Sequence, residues 1–236
     1  MRKLFVLLFL TGSLNVFAAD VRLITVTGSA EKSFKPDIVR VYLTAWGRGT
    51  SGKAAQSNSA QENEIIKRSL DTYKVKKEDV KTTSYNLNPD YAYDQKTGKS
   101  TITGYNASQE MVVVLRNIDD AGAFIDSLTT DAKVKNSGVN VNSFKFDLDK
   151  RSDEQSALLG DAVRASEAQA EVLAKAAKVK LKGVYRLSPA NNGNGGGMMY
   201  DMAAESAPRA KGAAPTTFAS GEIKITSEVA AEYIIE

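Results

Sequence analysis

The sequence of 236 residues contains no cysteine and no histidine. Without cysteine an exported chain has no disulfides, and it has no thiol to carry a lipid anchor. Without histidine, the Ser-His-Asp and Cys-His triads, His-ligated zinc and histidine acid–base catalysis are excluded. The sequence therefore predicts a protein that is not an enzyme, with no catalytic residues, no cofactor and no bound metal.

Long hydrophobic runs are also lacking. The apolar run of residues 4–10 follows two basic residues, and it is far shorter than the roughly 20 residues that span a membrane. Val16 and Ala18 stand at the two positions that signal peptidases recognise. We therefore predict a signal peptide at residues 1–18 and a mature chain of residues 19–236 without a transmembrane segment. The predicted location is periplasmic or secreted.

An excess of charge of either sign is lacking as well. The full chain carries 31 basic and 28 acidic residues, and removal of residues 1–18 takes away two of the basic ones. The mature chain therefore has a net charge of +1. A nearly neutral surface does not provide the positive potential that attracts nucleic acids, so we predict no nucleic-acid partner.

The sequence does contain a regular succession of strand and helix patterns. Apolar residues recur at every second position in the predicted strands and at helical spacing in the predicted helices. The predicted strands cover residues 21–28, 38–46, 80–94, 100–115, 138–148, 183–189 and 222–235, and the predicted helices cover 52–73, 118–130 and 152–178. This order, β-β-α-β-β-α-β-α-β-β, predicts an α+β fold with helices packed on a mostly antiparallel β-sheet.

A change of parity within residues 138–148 predicts a β-bulge. Val139 and Val141 share one face, whereas the next apolar residues are Phe144 and Phe146. Side chains of a regular strand alternate with period two, so the slip near Asn142 indicates one extra residue.

Residues 190–220 contain no valine, isoleucine or leucine. Such a segment buries too little surface to offset the entropy lost on ordering, and we predict a flexible loop. Its Gly195-Gly196-Gly197 run lacks the Gly-Lys-Ser/Thr that follows in phosphate-binding loops. Met198, Met199 and Met202 can be oxidised or can bind Cu(I), and the sequence leaves a redox role of these methionines open.

Four acidic residues near the start of the longest predicted helix suggest calcium at first sight. They are Asp147, Asp149, Asp153 and Glu154. A calcium loop would need an oxygen ligand where Arg151 stands, and acids are equally expected at a helix N-terminus.

An alternative function is a glycosidase-like hydrolase, which would use two carboxylates about 5–9 Å apart in a cleft of the sheet region.

Four tyrosines fall around one predicted hairpin, namely Tyr85, Tyr91, Tyr93 and Tyr105. Rings in this pattern either form a face on which a ligand stacks or pack against one another across the strands. Cross-strand packing is the more common use of such residues.

A series of short motifs, taken in order, resembles the SIMPL-domain family, in its exported bacterial branch of periplasmic and immunogenic proteins. The motifs are Val26-Thr27-Gly28-Ser29-Ala30, Pro36-Asp37, Asp79-Val80-Lys81-Thr82, Gly104-Tyr105-Asn106-Ala107, the alanine-rich helix, Gly183, Met198-Met199 and Gly221-Glu222-Ile223. The resemblance covers nearly the whole mature chain. It implies an α+β fold, a location in the cell envelope and a homo-oligomer, and it implies no catalytic residues.

Some members of this family are linked with tolerance of oxidative stress. Together, the residues and the resemblance predict a soluble exported envelope protein that acts by self-assembly or by binding, with a possible link to oxidative stress.

Overall fold

The structure is a computed structural model, and it describes residues 21–128, 136–190 and 216–236. The strands are β1 (Leu23–Phe34), β2 (Ile38–Gly49), β3 (Val80–Asp94), β4 (Lys99–Leu115), β5 (Ser137–Asp147), β6 (Leu181–Pro189) and β7 (Ile223–Ile235), and the helices are α1 (Gly52–Thr72), α2 (Ala121–Leu128) and α3 (Arg151–Ala177). The order of elements and the α+β class are as predicted.

The strands form two antiparallel sheets. One sheet has the order β3-β4-β2-β5, and the other has the order β1-β7-β6. Every strand pair whose register is known runs antiparallel, which confirms the predicted fold class. The signal peptide at residues 1–18 and most of the predicted loop at 190–220 lie outside the described residues.

The chain divides into two compact units. Among the described residues, the smaller unit contains 21–29, 159–190 and 228–236, and the larger unit contains 30–128, 136–158 and 216–227. Three elements, β1, α3 and β7, contribute residues to both units.

The core of the larger unit lies on one face of the four-stranded sheet. Alternate residues of β2 point into it, and Val39, Val41 and Leu43 are fully buried there. Helix α1 covers this face, where Gly47 lets the helix backbone come close because a Cβ at that position would overlap the backbone of Asn58 and Ser59. The opposite residues of β2 are half-buried or exposed.

The predicted bulge in β5 is confirmed. Tyr42 of β2 lies opposite Ser143, and the next residue, Leu43, lies opposite Val141. Asn142 therefore has no partner on β2, and this extra residue causes the change of side-chain parity within β5.

In the smaller unit, α3 buries a narrow stripe of small side chains, Ala162, Ser166, Ala170 and Ala174. Helix α3 packs so closely on β1 that a Cβ at Gly28 would overlap the carbonyl oxygen of Ala162. The Ser166 and Tyr233 hydroxyls, both buried, are 2.8 Å apart and share a hydrogen bond. The alanine-rich composition of α3 thus serves close packing of helix on strand.

Candidate functional site

A pocket of about 260 Å³ in the larger unit lies beside the C-terminal end of α1. Arg116, which follows β4, lines it together with Asp79 and Lys74. Arg116 donates from Nε and Nη2 to the two oxygens of Asp79, both at 2.8 Å, and from Nη1 to Asp149 at 2.9 Å. These bonds raise the pKa of Arg116, with the hydrogen bond to Asp79 as the main cause.

The guanidinium group of Arg116 is therefore bound by two aspartates of the protein itself. Asp79 is 7% exposed, so its charge depends on Arg116 for compensation, since an unpaired buried carboxylate would be costly. Asp149 also donates its backbone N–H to Asp37 at 2.8 Å. The arrangement is a structural clamp that joins the start of β3, the end of β4 and the end of β5.

The four acids that suggested calcium are placed in two different settings. Asp147 accepts from Arg40 at 2.9 Å and from Arg151 at 3.3 Å. Burial alone would raise the pKa of Asp147, but the hydrogen bonds from these arginines and from the Leu148 N–H lower it overall. Asp153 and Glu154 lie in the first turn of α3. No group of three acidic side chains within the described residues is arranged around a metal position.

The hydrolase alternative gains no support from this geometry. A retaining or inverting glycosidase needs one carboxyl as acid and a second one as base or nucleophile. Of the two acids that line the pocket, Asp79 binds Arg116, and Asp120 accepts a hydrogen bond from the Asn117 side chain at 2.8 Å.

The four predicted tyrosines separate into two pairs. Tyr85 accepts a hydrogen bond from the Gln56 side chain of α1 at 3.0 Å, and Tyr105 lies against Gly52 at the start of α1. Tyr91 and Tyr93, in contrast, are 63% and 65% exposed. They belong to the distal half of the β3–β4 hairpin.

We call residues 90–103 the hairpin arm. Tyr91 lies directly opposite Ile102, and Tyr93 lies opposite Ser100, so the two tyrosines and Ile102 share one face of the ribbon. Ile102 is 52% exposed. Sequence periodicity had identified the tyrosines, but only the register adds Ile102 to them.

Several further exposed apolar side chains lie in the smaller unit. Val184, Tyr185 and Leu187 lie on β6, which is an edge strand. The pairing of β6 with β7 shifts register twice, and bulges of this kind protect an edge against pairing with another strand.

Within the described residues, no helix is long and apolar enough to cross a membrane.

The fold is of the α+β class, and the chain belongs to the SIMPL family. Residues 24–233 match this family, which is described as "Protein of unknown function (DUF541)". The chain is 30% identical, over 192 residues, to the 26 kDa periplasmic immunogenic protein of Brucella melitensis biotype 1, covering 75% of this chain and 72% of that protein. It is 29% identical, with the same coverage, to the 26 kDa periplasmic immunogenic protein of Brucella abortus strain S19. The resemblance drawn from the sequence motifs is thereby confirmed.

Proposed function

We propose that the mature chain is a periplasmic protein that acts by assembling with further copies of itself through the hairpin arm. Its location is supported by the signal-peptide pattern of residues 1–18 and by the word periplasmic in the names of both relatives. The function needs no catalytic group, which agrees with the internal pairing of the acids around the pocket.

The observation that carries the proposal is the exposed apolar face of the arm. A two-stranded ribbon is marginally stable by itself in water, and contiguous exposed apolar side chains mark interaction surfaces. Tyr91, Tyr93 and Ile102 form one face, whereas Ala92 and Thr101 form the other. The arm is thus amphipathic and presents its apolar side to a partner.

The charges of the arm make a second copy a suitable partner. Asp90 and Asp94 are balanced by Lys96 and Lys99 within the same ribbon. Two identical arms therefore do not repel each other, and a two-fold axis brings the same apolar face of each copy together.

The test is to express the full chain in a Gram-negative host and to purify the protein from the periplasmic fraction. Intact mass should correspond to a chain that starts at Ala19, and light scattering should give an integer multiple of that mass. The double variant Tyr91→Ser/Tyr93→Ser should give a smaller species with an unchanged thermal melt. The control Tyr185→Ser, which removes an exposed tyrosine from β6, should leave the assembly intact.

Two results would contradict the proposal. A strict monomer at every concentration would refute assembly, and an unchanged oligomer in the double variant would refute the role of the arm. A role in tolerance of oxidative stress stays a prediction, since Met198, Met199 and Met202 lie outside the described residues.

A further inference from the structure

The face of the four-stranded sheet that lies opposite α1 is polar and rich in asparagine around Trp46, whereas Val112 and Val114 of β4 lie at its other end. On β2 its residues are Tyr42, Thr44, Trp46 and Arg48, which alternate with the buried core residues of the same strand. Thr44 and Trp46 are half-buried, and Arg48 is exposed. This face therefore offers side chains that a ligand can reach.

The strand register brings five asparagines onto this surface, which we call the asparagine face. On β3 and β4, Asn86 lies opposite Ser108, and Asn88 lies opposite Asn106. Asn106 in turn lies opposite Arg48 of β2. Since neighbouring strands are about 4.8 Å apart, side chains from all four strands fall within roughly 15 Å of one another.

The remaining two asparagines come from β5. Asn140 lies opposite Thr44, and the bulged residue Asn142 donates from Nδ2 to the Thr44 hydroxyl at 2.7 Å. Asn140 and Asn142 are two positions apart, so both lie on the same face of β5.

Trp46 stands in the middle of these amides and is held in place from two sides. Its indole Nε1 donates to Asn140 at 3.3 Å. The ring also lies against Gly138, where a Cβ would be 3.2–3.3 Å from three indole atoms. Glycine at 138 thus leaves room for the ring, which is fixed without being fully buried.

The charges on the asparagine face are nearly balanced. Arg48 pairs loosely with Asp90 at 3.8 Å, and exposed Glu110 is accompanied by exposed Lys81 and Lys145. Such a face does not select an anion or a cation. Its recognition capacity lies in carboxamides, each of which both donates and accepts hydrogen bonds.

Two exposed amides keep hydrogen-bonding groups that the protein does not use. The side chain of Asn88 makes no hydrogen bond with another described residue, and Asn86 uses only its Nδ2, which donates to the Ser84 hydroxyl at 2.9 Å. A sugar carries hydroxyl groups, which form hydrogen bonds with amides, and C–H groups, which pack on an aromatic ring. Amides with unused hydrogen-bonding groups near a fixed aromatic ring therefore suit a sugar ligand. We propose that the asparagine face binds an uncharged oligosaccharide chain.

The only tryptophan of the chain lies at the centre of this face, so its fluorescence reports binding directly. The mature protein is titrated separately with N-acetylchitotetraose and with cellotetraose, which distinguish an N-acetylated glycan from a plain one. We expect a saturable change in emission with at least one of them, with a dissociation constant of about 1 mM or tighter. Asn88→Ala, at an exposed position, should weaken that affinity about tenfold.

The controls separate this site from the hairpin arm. The Tyr91→Ser/Tyr93→Ser variant should bind the sugar as the unchanged protein does, whatever its state of assembly. Circular dichroism of Asn88→Ala should show an unchanged fold. A lack of saturable change with both tetrasaccharides would overturn the inference, as would an unaltered affinity in Asn88→Ala.

Discussion

At Gly28 the backbone of β1 lies directly on the backbone of α3. A Cβ at this position would overlap the carbonyl oxygen of Ala162 and crowd Ser166. Since both partners are backbone or short side chains, neither can rotate away. The identity of this residue is therefore set by packing, and the small-residue stripe of α3 has the same cause.

We predict that Gly28→Ala destabilises the protein by on the order of 3 kcal/mol, because the helix must move away from the strand. The matched control is Gly160→Ala, the same chemical change on α3, where only the far end of Arg164 lies near the added Cβ. There alanine should stabilise by about 0.5–1 kcal/mol because glycine is the poorer helix former. Urea unfolding of both variants measures the two values, and equal effects of the two substitutions would refute the packing argument.

At the scale of one element, β7 shows the cleanest agreement between pattern and burial. Ile225, Val229, Ala231 and Tyr233 are buried, and the residues between them are half-buried or exposed, apart from Ser227. The strand is central in its sheet, with β1 on one side and β6 on the other. Its removal therefore leaves two strands without a neighbour.

We predict that deletion of residues 222–236 abolishes cooperative folding or causes aggregation through the exposed edges. Burial of each large aliphatic side chain contributes about 1.5–3 kcal/mol, whereas the net stability of a domain is typically about 5–15 kcal/mol. Near-UV circular dichroism and thermal melting provide the measurement.

The mild comparison is Tyr233→Phe, which removes only the hydrogen bond with Ser166. It should keep a cooperative transition and lose about 1 kcal/mol. A truncated protein that stays soluble and melts like the intact chain would show that β7 is not needed for the core.

At the scale of the whole molecule, hydrogen-bonded aspartates make the stability of the folded chain depend on pH in the acid range. The pKa of Asp147 is lowered overall by Arg40 and Arg151 against the effect of burial. The pKa of Asp126 is lowered by the Thr216 hydroxyl and N–H, which lie 2.5 and 2.8 Å from its carboxylate. In the unfolded chain the pKa of an aspartate is about 3.9. When the pKa is lower in the folded chain, the ionised carboxylate stabilises the folded state at any pH above about 3.9, and this stabilisation is lost as the pH falls through the folded-state pKa.

We therefore predict a melting temperature that is nearly constant from neutral pH to about pH 5 and declines below about pH 4. Asp147→Asn should melt at a lower temperature at pH 7 and should show a shallower decline in acid. Melting curves at a series of pH values test this, and an acid decline in Asp147→Asn as steep as in the unchanged protein would contradict it.

Much of the secondary structure could be predicted because it depends on local periodicity. β3 begins and ends where expected, and the bulge at Asn142 is visible as a change of parity. The prediction ended β1 too early. Residues 29–34 contain only two apolar side chains, Ala30 and Phe34, and the strand continues through them because β1 pairs with β7 and both side chains pack against the cluster that contains Ile225.

The candidate sites were predictable only in part. The exposed tyrosines of the arm could be identified from the sequence, but Ile102 joins them through cross-strand register alone. The asparagines of the proposed sugar-binding face are scattered between residues 86 and 142. No spacing rule connects them, because it is the pairing of four strands that places them together.

The sequence by itself determined the α+β class, the positions of most strands and helices, and membership of the SIMPL family, since these follow from side-chain periodicity and short motifs. The tertiary structure decided how the strands divide between two sheets, and that the acids near residue 147 bind arginines instead of standing free for a metal. The physical reason is one of range. Periodicity reports which face of an element is buried, whereas the partners of a charge or an amide are set by contacts between residues far apart in the chain.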